Sequence, residues 1–219
     1  MSTSKSDWQI DQHGWCSRAL KIISPNCDAR PGDGIVDLLV IHNISLPPRQ
    51  FGGPYITALF TNSLDYSADP YFEQLRDLRV SSHFVIRRDG QLLQFVSTLQ
   101  RAWHAGRSVF EGRSGCNDFS IGIELEGSDY DPFTEAQYHC LTQLTNALRH
   151  TTPLHAVTGH QHIAAGRKTD PGCFFDWLRY QSSCNADIAG GCAEVPANLV
   201  LRFLTIEQIP PDVAIKKIE

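Results

Sequence analysis

A mixed α/β fold, with a central mixed β-sheet flanked by helices, is the class this sequence predicts. Three observations carry it. The run IVDLLVIHN (residues 35–43) is unbroken in branched apolar residues from Leu38 to Ile41, as in a strand buried on both faces. SHFVIRRDGQLLQFV (82–96) alternates on either side of Asp89-Gly90, a hairpin turn dipeptide. From Thr134 the spacing becomes helical, with Leu141, Leu144 and Leu148 on one face.

Taken in order, residues 1–34 are polar and turn-rich, with Pro25, Pro31, Gly32 and Gly34 predicting irregular backbone. The strand over 35–43 ends in His42 and Asn43, delivering two polar side chains to the edge of a sheet. Residues 51–75 supply a long loop and helix able to form one wall of a groove, and Gly52-Gly53 permit it to move. Pro70 at a first helical position predicts a short helix over 70–78. SIGIELEG (120–127) is a further strand with Ile121 and Ile123 on one side and Gly122, Glu124 and Glu126 on the other. Thr134 and Gln137 form a capping box at the start of the next helix. Another helix is predicted near 174–181 within the aromatic FFDWLRYQ.

Beyond residue 183 the pattern changes. Gly190-Gly191, Pro196 and Pro210-Pro211 interrupt the tail, although NLVLRFL (198–204) is apolar enough to dock. The expected organisation is one main domain over 1–183 and a C-terminal extension over 184–219. For that extension, packing on the body, dimerisation and disorder all stay open.

The 219 residues suit one domain with an appendage, and 42% hydrophobic against 20% charged composition supports an ordinary core. A net charge of −5 leaves no basic footprint for nucleic acid. No run approaches the ~20 apolar residues of a membrane span. The N-terminal MSTSKSDWQIDQHGW lacks the apolar centre of a secretory signal, so a cytoplasmic location is expected. The seven cysteines show no CxxC pair and read as reduced thiols, with a Cys184–Cys192 bridge as the oxidised alternative.

GRKTDPG (166–172) concentrates Arg167, Lys168 and Asp170 in a stretch too stiff for a helix. On its own such a heptapeptide is most often a solvated turn. His42, His160 and Asp170 together would give two imidazoles and one carboxylate, the donor set of a catalytic zinc site with one position open. Spacing alone does not select them: His162, His104 and His83 compete as ligands, and a histidine ending a strand is commonly a hydrogen-bonded structural residue. The local clue is that Gly159-His160 and Asp170-Pro171 bracket a glycine-containing loop.

Longer blocks add to this. LLVIHNISLPP (38–48), FGGP (51–54), LRVSSHFVIRRDG (78–90), RAWHAG (101–106), CNDFSIGIELEG (116–127) and GRKTDPG (166–172) span roughly residues 15–181 in one order. In these the sequence resembles the AmpD family of cytoplasmic 1,6-anhydro-N-acetylmuramyl-L-alanine amidases, within the zinc amidase and peptidoglycan-recognition fold. The resemblance implies one zinc ion on His42, His160 and Asp170, with Glu124 as catalytic acid/base and Lys168 as the cation beside the scissile carbonyl. It implies that Asn43, Arg79, Trp103, His104 and Arg167 line the substrate groove. It further implies an anhydro-muropeptide substrate, a place in peptidoglycan recycling and no obligate protein partner.

The residues bear on these roles unequally. Glu124 sits among Ile121, Ile123 and Leu125, where desolvation would raise its pKa as a general base requires, but Glu126 shares its face and only the resemblance separates them. Alternate residues of an extended segment point oppositely, so Lys168 would share the side of Asp170 and Arg167 would not. Trp103 offers a flat face for a sugar ring or fills core, His104 offers a donor, and Arg79 could pair a stem-peptide carboxylate. The chain departs from the family in continuing nearly forty residues past FDWLRYQ and in matching loosely over 107–115. Two rival readings remain: an exported or phage-type amidase acting on intact peptidoglycan, and a muropeptide-binding module that does not cut. The missing signal opposes export, and the complete set of ligands with Glu124 and Lys168 opposes the module.

Overall fold

The apolar run at Leu38 to Ile41 is wholly buried and forms an interior strand of the sheet in a computed structural model that describes residues 8–32, 34–189 and 201–203. Among those residues one seven-stranded sheet contains β1 (Leu20–Lys21), β2 (Leu38–Ile44), β3 (Phe84–Ile86), β4 (Leu92–Gln94), β5 (Ser120–Glu126), β6 (Ala156–Gly159) and β7 (Arg202–Phe203). Their spatial order is β1-β4-β3-β5-β2-β6-β7. Neighbours are parallel except β3 and β4, the two arms of a hairpin. The sheet is therefore mixed, as the sequence predicts.

Helices α1 (Tyr55–Phe60), α2 (Glu135–Arg149), α3 (His160–Ile163) and α4 (Trp177–Ala189) complete the architecture. On one face Leu39, Ile41, Ile121 and Ile123 pack with Leu141, Leu144 and Leu148 of α2 and Tyr180 of α4. On the other, Leu38 and Val40 meet Ala105, Phe110 and Cys116. Farther along that sheet Val85 and Leu93 lie with Phe60 and Phe72. Thr134 and Gln137 cap α2 reciprocally, and the Thr134 hydroxyl also donates to the Arg88 carbonyl.

Three local expectations change. Asp89-Gly90 is not a two-residue turn: the Arg87 N–H donates to the Gln91 carbonyl and the Gly90 N–H to the Arg87 carbonyl, with Gly90 at φ +87°. Arg88 thus joins a three-residue loop closed by a left-handed glycine. The helix predicted over 70–78 is a 3-10 helix, Pro70–Leu75, with Asp69 accepting from the Tyr71 N–H. Such tight turns seldom run far. The helix predicted near 174–181 starts later, at Trp177, because Asp176 caps it, its Oδ1 accepting from the Arg179 N–H, and it continues past residue 183.

Part of the tail docks. Leu201 and Phe203 are buried, and β7 extends the sheet alongside β6. Residues 190–200 and 204–219, with the glycine and proline pairs and Cys192, lie outside the described residues. The six described cysteines are free thiols. Among the described residues no helix is long and apolar enough to cross a membrane.

Three adjacent parallel strands, β5, β2 and β6, end at the same edge. Ligands in such sheets sit beyond the carboxyl ends of the strands. Register pairs Glu124 with His42 and Gly159 with Ile41, so His160, one residue on, arrives beside His42.

Leu144 is fully buried between α2 and the sheet. Leu144→Ala is expected to lower unfolding free energy by ~2–5 kcal/mol in urea titrations. A loss below ~1 kcal/mol would mean the α2 face is loosely packed.

Candidate active site

His42 Nδ1, His160 Nδ1 and Asp170 Oδ2 lie pairwise 3.0 Å apart. β2 supplies the first and the strand-to-helix junction after β6 the second. The third comes from the loop after α3, held by the Gln161 N–H donating to the Asp170 carbonyl. Glycine makes the junction possible: a Cβ on Gly159 would stand 2.8 Å from Pro171 Cδ. Asn43 Nδ2 donates to Asp129 Oδ1 and to the Pro171 carbonyl, tying the Asp170 loop to the strand that carries His42.

The donor set suits a cation. His160 Nε2 faces the Ala105 carbonyl at 3.1 Å, which can only accept, so in the neutral ring the proton sits on Nε2 and Nδ1 presents a lone pair. That lone pair points at a carboxylate oxygen. Burial works against ionisation of Asp170, but a proton on the facing His160 or His42 nitrogen outweighs it and holds the carboxyl well below the usual range, a place that a cation can take instead. Burial pushes His42 down to about 4, with adjacent His160 adding to the effect. Zinc bound at ~2.0–2.1 Å tetrahedrally separates its ligands by ~3.3 Å, close to the edges of this triangle. Among the described residues this is the group able to hold a metal ion.

The rival histidines are occupied elsewhere. His162 Nδ1 accepts from the Gly159 N–H, and its ring lies by Trp177. His83 Nδ1 accepts from the Gly122 N–H while Nε2 faces the Gln100 carbonyl.

The two glutamates of β5 separate clearly. Glu126 is fully engaged: Oε1 accepts from the Gly52 N–H and Arg87 Nη1, and Oε2 from the Arg88 N–H. It pins the loop at residue 52 to the hairpin. Glu124 has Oε1 4.0 Å from His42 Nδ1, and its buried Oε2 finds no hydrogen-bond partner. Desolvation, reinforced by the charge of Asp170 and opposed by Lys168, raises its pKa well above the ordinary value. A buried carboxyl that resists ionisation beside a metal-competent trio is equipped to take up a proton.

The remaining predicted residues fall into three settings. Lys168 is exposed, and its charge reaches both Glu124 and His42. The segment before it is a turn, with the Arg167 and Lys168 N–H groups both donating to the Ala164 carbonyl, so strand-like alternation does not decide their directions. Arg167 Nη2 donates to the carbonyls of Ala105 and Arg107, its guanidinium lying over Gly106. Arg79 is exposed and Trp103 half-buried. His104 is buried, with His42 Nε2 2.9 Å from its Nδ1 and Ser120 Oγ 3.3 Å from its Nε2. Neither ring nitrogen is left for a substrate. Sequence reasoning missed Asn117, whose Oδ1 accepts from the N–H groups of His104 and Ala105, and Asp129. Their signal was only nearness to RAWHAG and IELEG.

Comparison with known proteins gives the family. The N-acetylmuramoyl-L-alanine amidase family matches residues 32–173. The 1,6-anhydro-N-acetylmuramyl-L-alanine amidase AmpD of Citrobacter freundii is 54% identical over 77% of this chain and 91% of its own length. Its counterpart from Escherichia coli K12 is 53% identical over 78% and 94%. A crystal structure of a selenomethionine derivative of AmpD superposes with a TM-score of 0.76 at 52% identity, covering 78% of this chain and 97% of that one. By both the extent of the match and its level of identity, this chain is a member of the N-acetylmuramoyl-L-alanine amidase family.

Proposed function

We infer that the chain hydrolyses the amide between the lactyl group of 1,6-anhydro-N-acetylmuramic acid and the L-alanine of the stem peptide, in cytoplasmic recycling of peptidoglycan. The observation that carries the reading is the trio of donors 3.0 Å apart beside the unpartnered carboxyl of Glu124, in a chain half identical to amidases named for that substrate.

His42, His160 and Asp170 would hold one zinc ion. Bound there, it would polarise the scissile carbonyl and acidify an attacking water. Glu124 takes the proton of that water and later delivers it to the departing amine, a task suited to its raised pKa. Lys168, exposed and close enough for its charge to act on Glu124 and His42, would stabilise the negative charge of the tetrahedral intermediate. Asn43, Arg79, Trp103 and Arg167 border the groove. Asn43 and Arg167 do so with side chains already tied to carbonyl oxygens, so they shape the walls as well as meeting substrate.

Asp170→Ala is expected to lose both bound zinc and amidase activity while keeping its circular dichroism; retained zinc and activity would remove Asp170 from the ligand set. Glu124→Gln is expected to keep zinc and lose ~10²–10⁴ in kcat. Lys168→Ala is expected to cost ~10²–10³, read as release of peptide from anhydromuramyl-tripeptide by mass spectrometry. An unimpaired Glu124→Gln enzyme would contradict the acid/base assignment.

Glu124 also predicts a pH effect in metal-free protein. Its folded pKa lies above the ~4.3 of an unfolded glutamate, so the native state binds more protons in the interval and stability falls as pH rises through it. Urea unfolding should show Glu124→Gln gaining on the wild type as pH rises from about 5 to about 8. A constant difference would mean that burial leaves Glu124 unperturbed.

A further inference from the structure

We propose that His104 is a positioning residue that fixes the tautomer of His42, through a directed hydrogen-bond chain from the Cys116 carbonyl by way of Ser120. The inference rests on the reading of His42 as a metal ligand.

The direction follows from one group that can only accept. Ser120 Oγ lies 2.5 Å from the Cys116 carbonyl, so the single hydroxyl proton is committed there. Toward His104 Nε2, at 3.3 Å, the serine has only lone pairs to offer, and Nε2 must be the donor. His104 has no carboxylate within ion-pair distance among the described residues, and an uncompensated imidazolium at that depth would be costly. The ring is therefore neutral, and its Nδ1 is an acceptor. His42 Nε2, 2.9 Å away, then donates to it. This leaves His42 Nδ1 bare, and Nδ1 is the atom that faces His160 and Asp170.

The His104 ring has little freedom to do otherwise. It lies flat against Gly122 on β5, where a Cβ would come 2.5 Å from the His104 Cγ. It meets the His42 ring edge-on, at 89° with centroids 5.1 Å apart. Asn117 Oδ1 accepts from the N–H groups of His104 and Ala105 at 3.1 and 2.8 Å and so holds the loop. The next residue completes the arrangement, since the Ala105 carbonyl fixes His160 as its Nε2–H tautomer. Two consecutive residues thus orient both imidazoles, one by side chain and one by main chain. Outer partners of this kind typically contribute 10–100-fold to metal affinity.

The test measures zinc affinity of the full chain by competition with a chromophoric chelator, alongside kcat and KM. His104→Ala is expected to weaken zinc binding by about 10–100-fold. His104→Asn, whose Oδ1 can accept from His42 Nε2 where Nδ1 did, is expected to recover most of that loss. If His104→Ala binds zinc like the wild type and only KM rises, the residue contacts substrate and the proposal fails. It fails too if folded His104→Asn is as weak as His104→Ala. Should the variants not fold, long-range ¹H–¹⁵N spectra of the zinc-loaded wild type decide: His104 protonated at Nε2 with Nδ1 accepting supports the chain, and the opposite tautomer overturns it. A wild type that binds no zinc refutes the metal reading itself, which separates that failure from this one.

Discussion

Lone pairs of two imidazoles and a carboxylate oxygen converge to 3.0 Å, a contact that repels unless a cation or a proton stands among them. The surrounding fold is built to hold this convergence. Adjacent parallel strands carry Glu124, His42 and His160 to one edge in register, and the returning loop adds Asp170. A one-residue slip of β5 against β2 would turn Glu124 to the α2 face and bring Ile123 or Leu125 to the site.

Close approach has been secured by leaving side chains out. Gly159 admits Pro171, Gly122 admits the His104 ring, and Gly172, at φ +82°, admits Asp129. Each sits where a Cβ would stand under 3.0 Å from a neighbour, so the second layer of the site is specified as much by absent atoms as by present ones. Charged groups follow a similar division. Arg87 satisfies Glu126 so that it braces the loop at residue 52, while Glu124, two residues away on the same strand, has a buried oxygen without a hydrogen-bond partner, and its affinity for a proton rises.

The parts of this arrangement visible in the sequence are those governed by neighbours along the chain. The buried run of β2, the alternation of β5 and the capping box of α2 are local patterns and appear where expected. The start of α4, the 3-10 form of Pro70–Leu75 and the hairpin loop turn on single capping and turn contacts at Asp176, Asp69 and Arg87, which hydrophobic spacing does not display. Likewise His42 and His160 share no period, and their pairing came from resemblance. The claims of His162 and His83 lapse only once Gly159 and Gly122 are seen donating to them. Glu124 and Glu126 are equivalent by alternation; Arg87, on a distant hairpin, distinguishes them. The alternation that favours Lys168 over Arg167 assumes an extended backbone where the chain in fact turns, which leaves that choice to the resemblance.

Anomalous diffraction at the zinc edge, from crystals of the zinc-loaded protein, tests the central claim most directly. The account predicts one peak at ~2.0–2.1 Å from His42 Nδ1, His160 Nδ1 and a carboxylate oxygen of Asp170 together. A peak on His162 or His83, or none near the three, would contradict it.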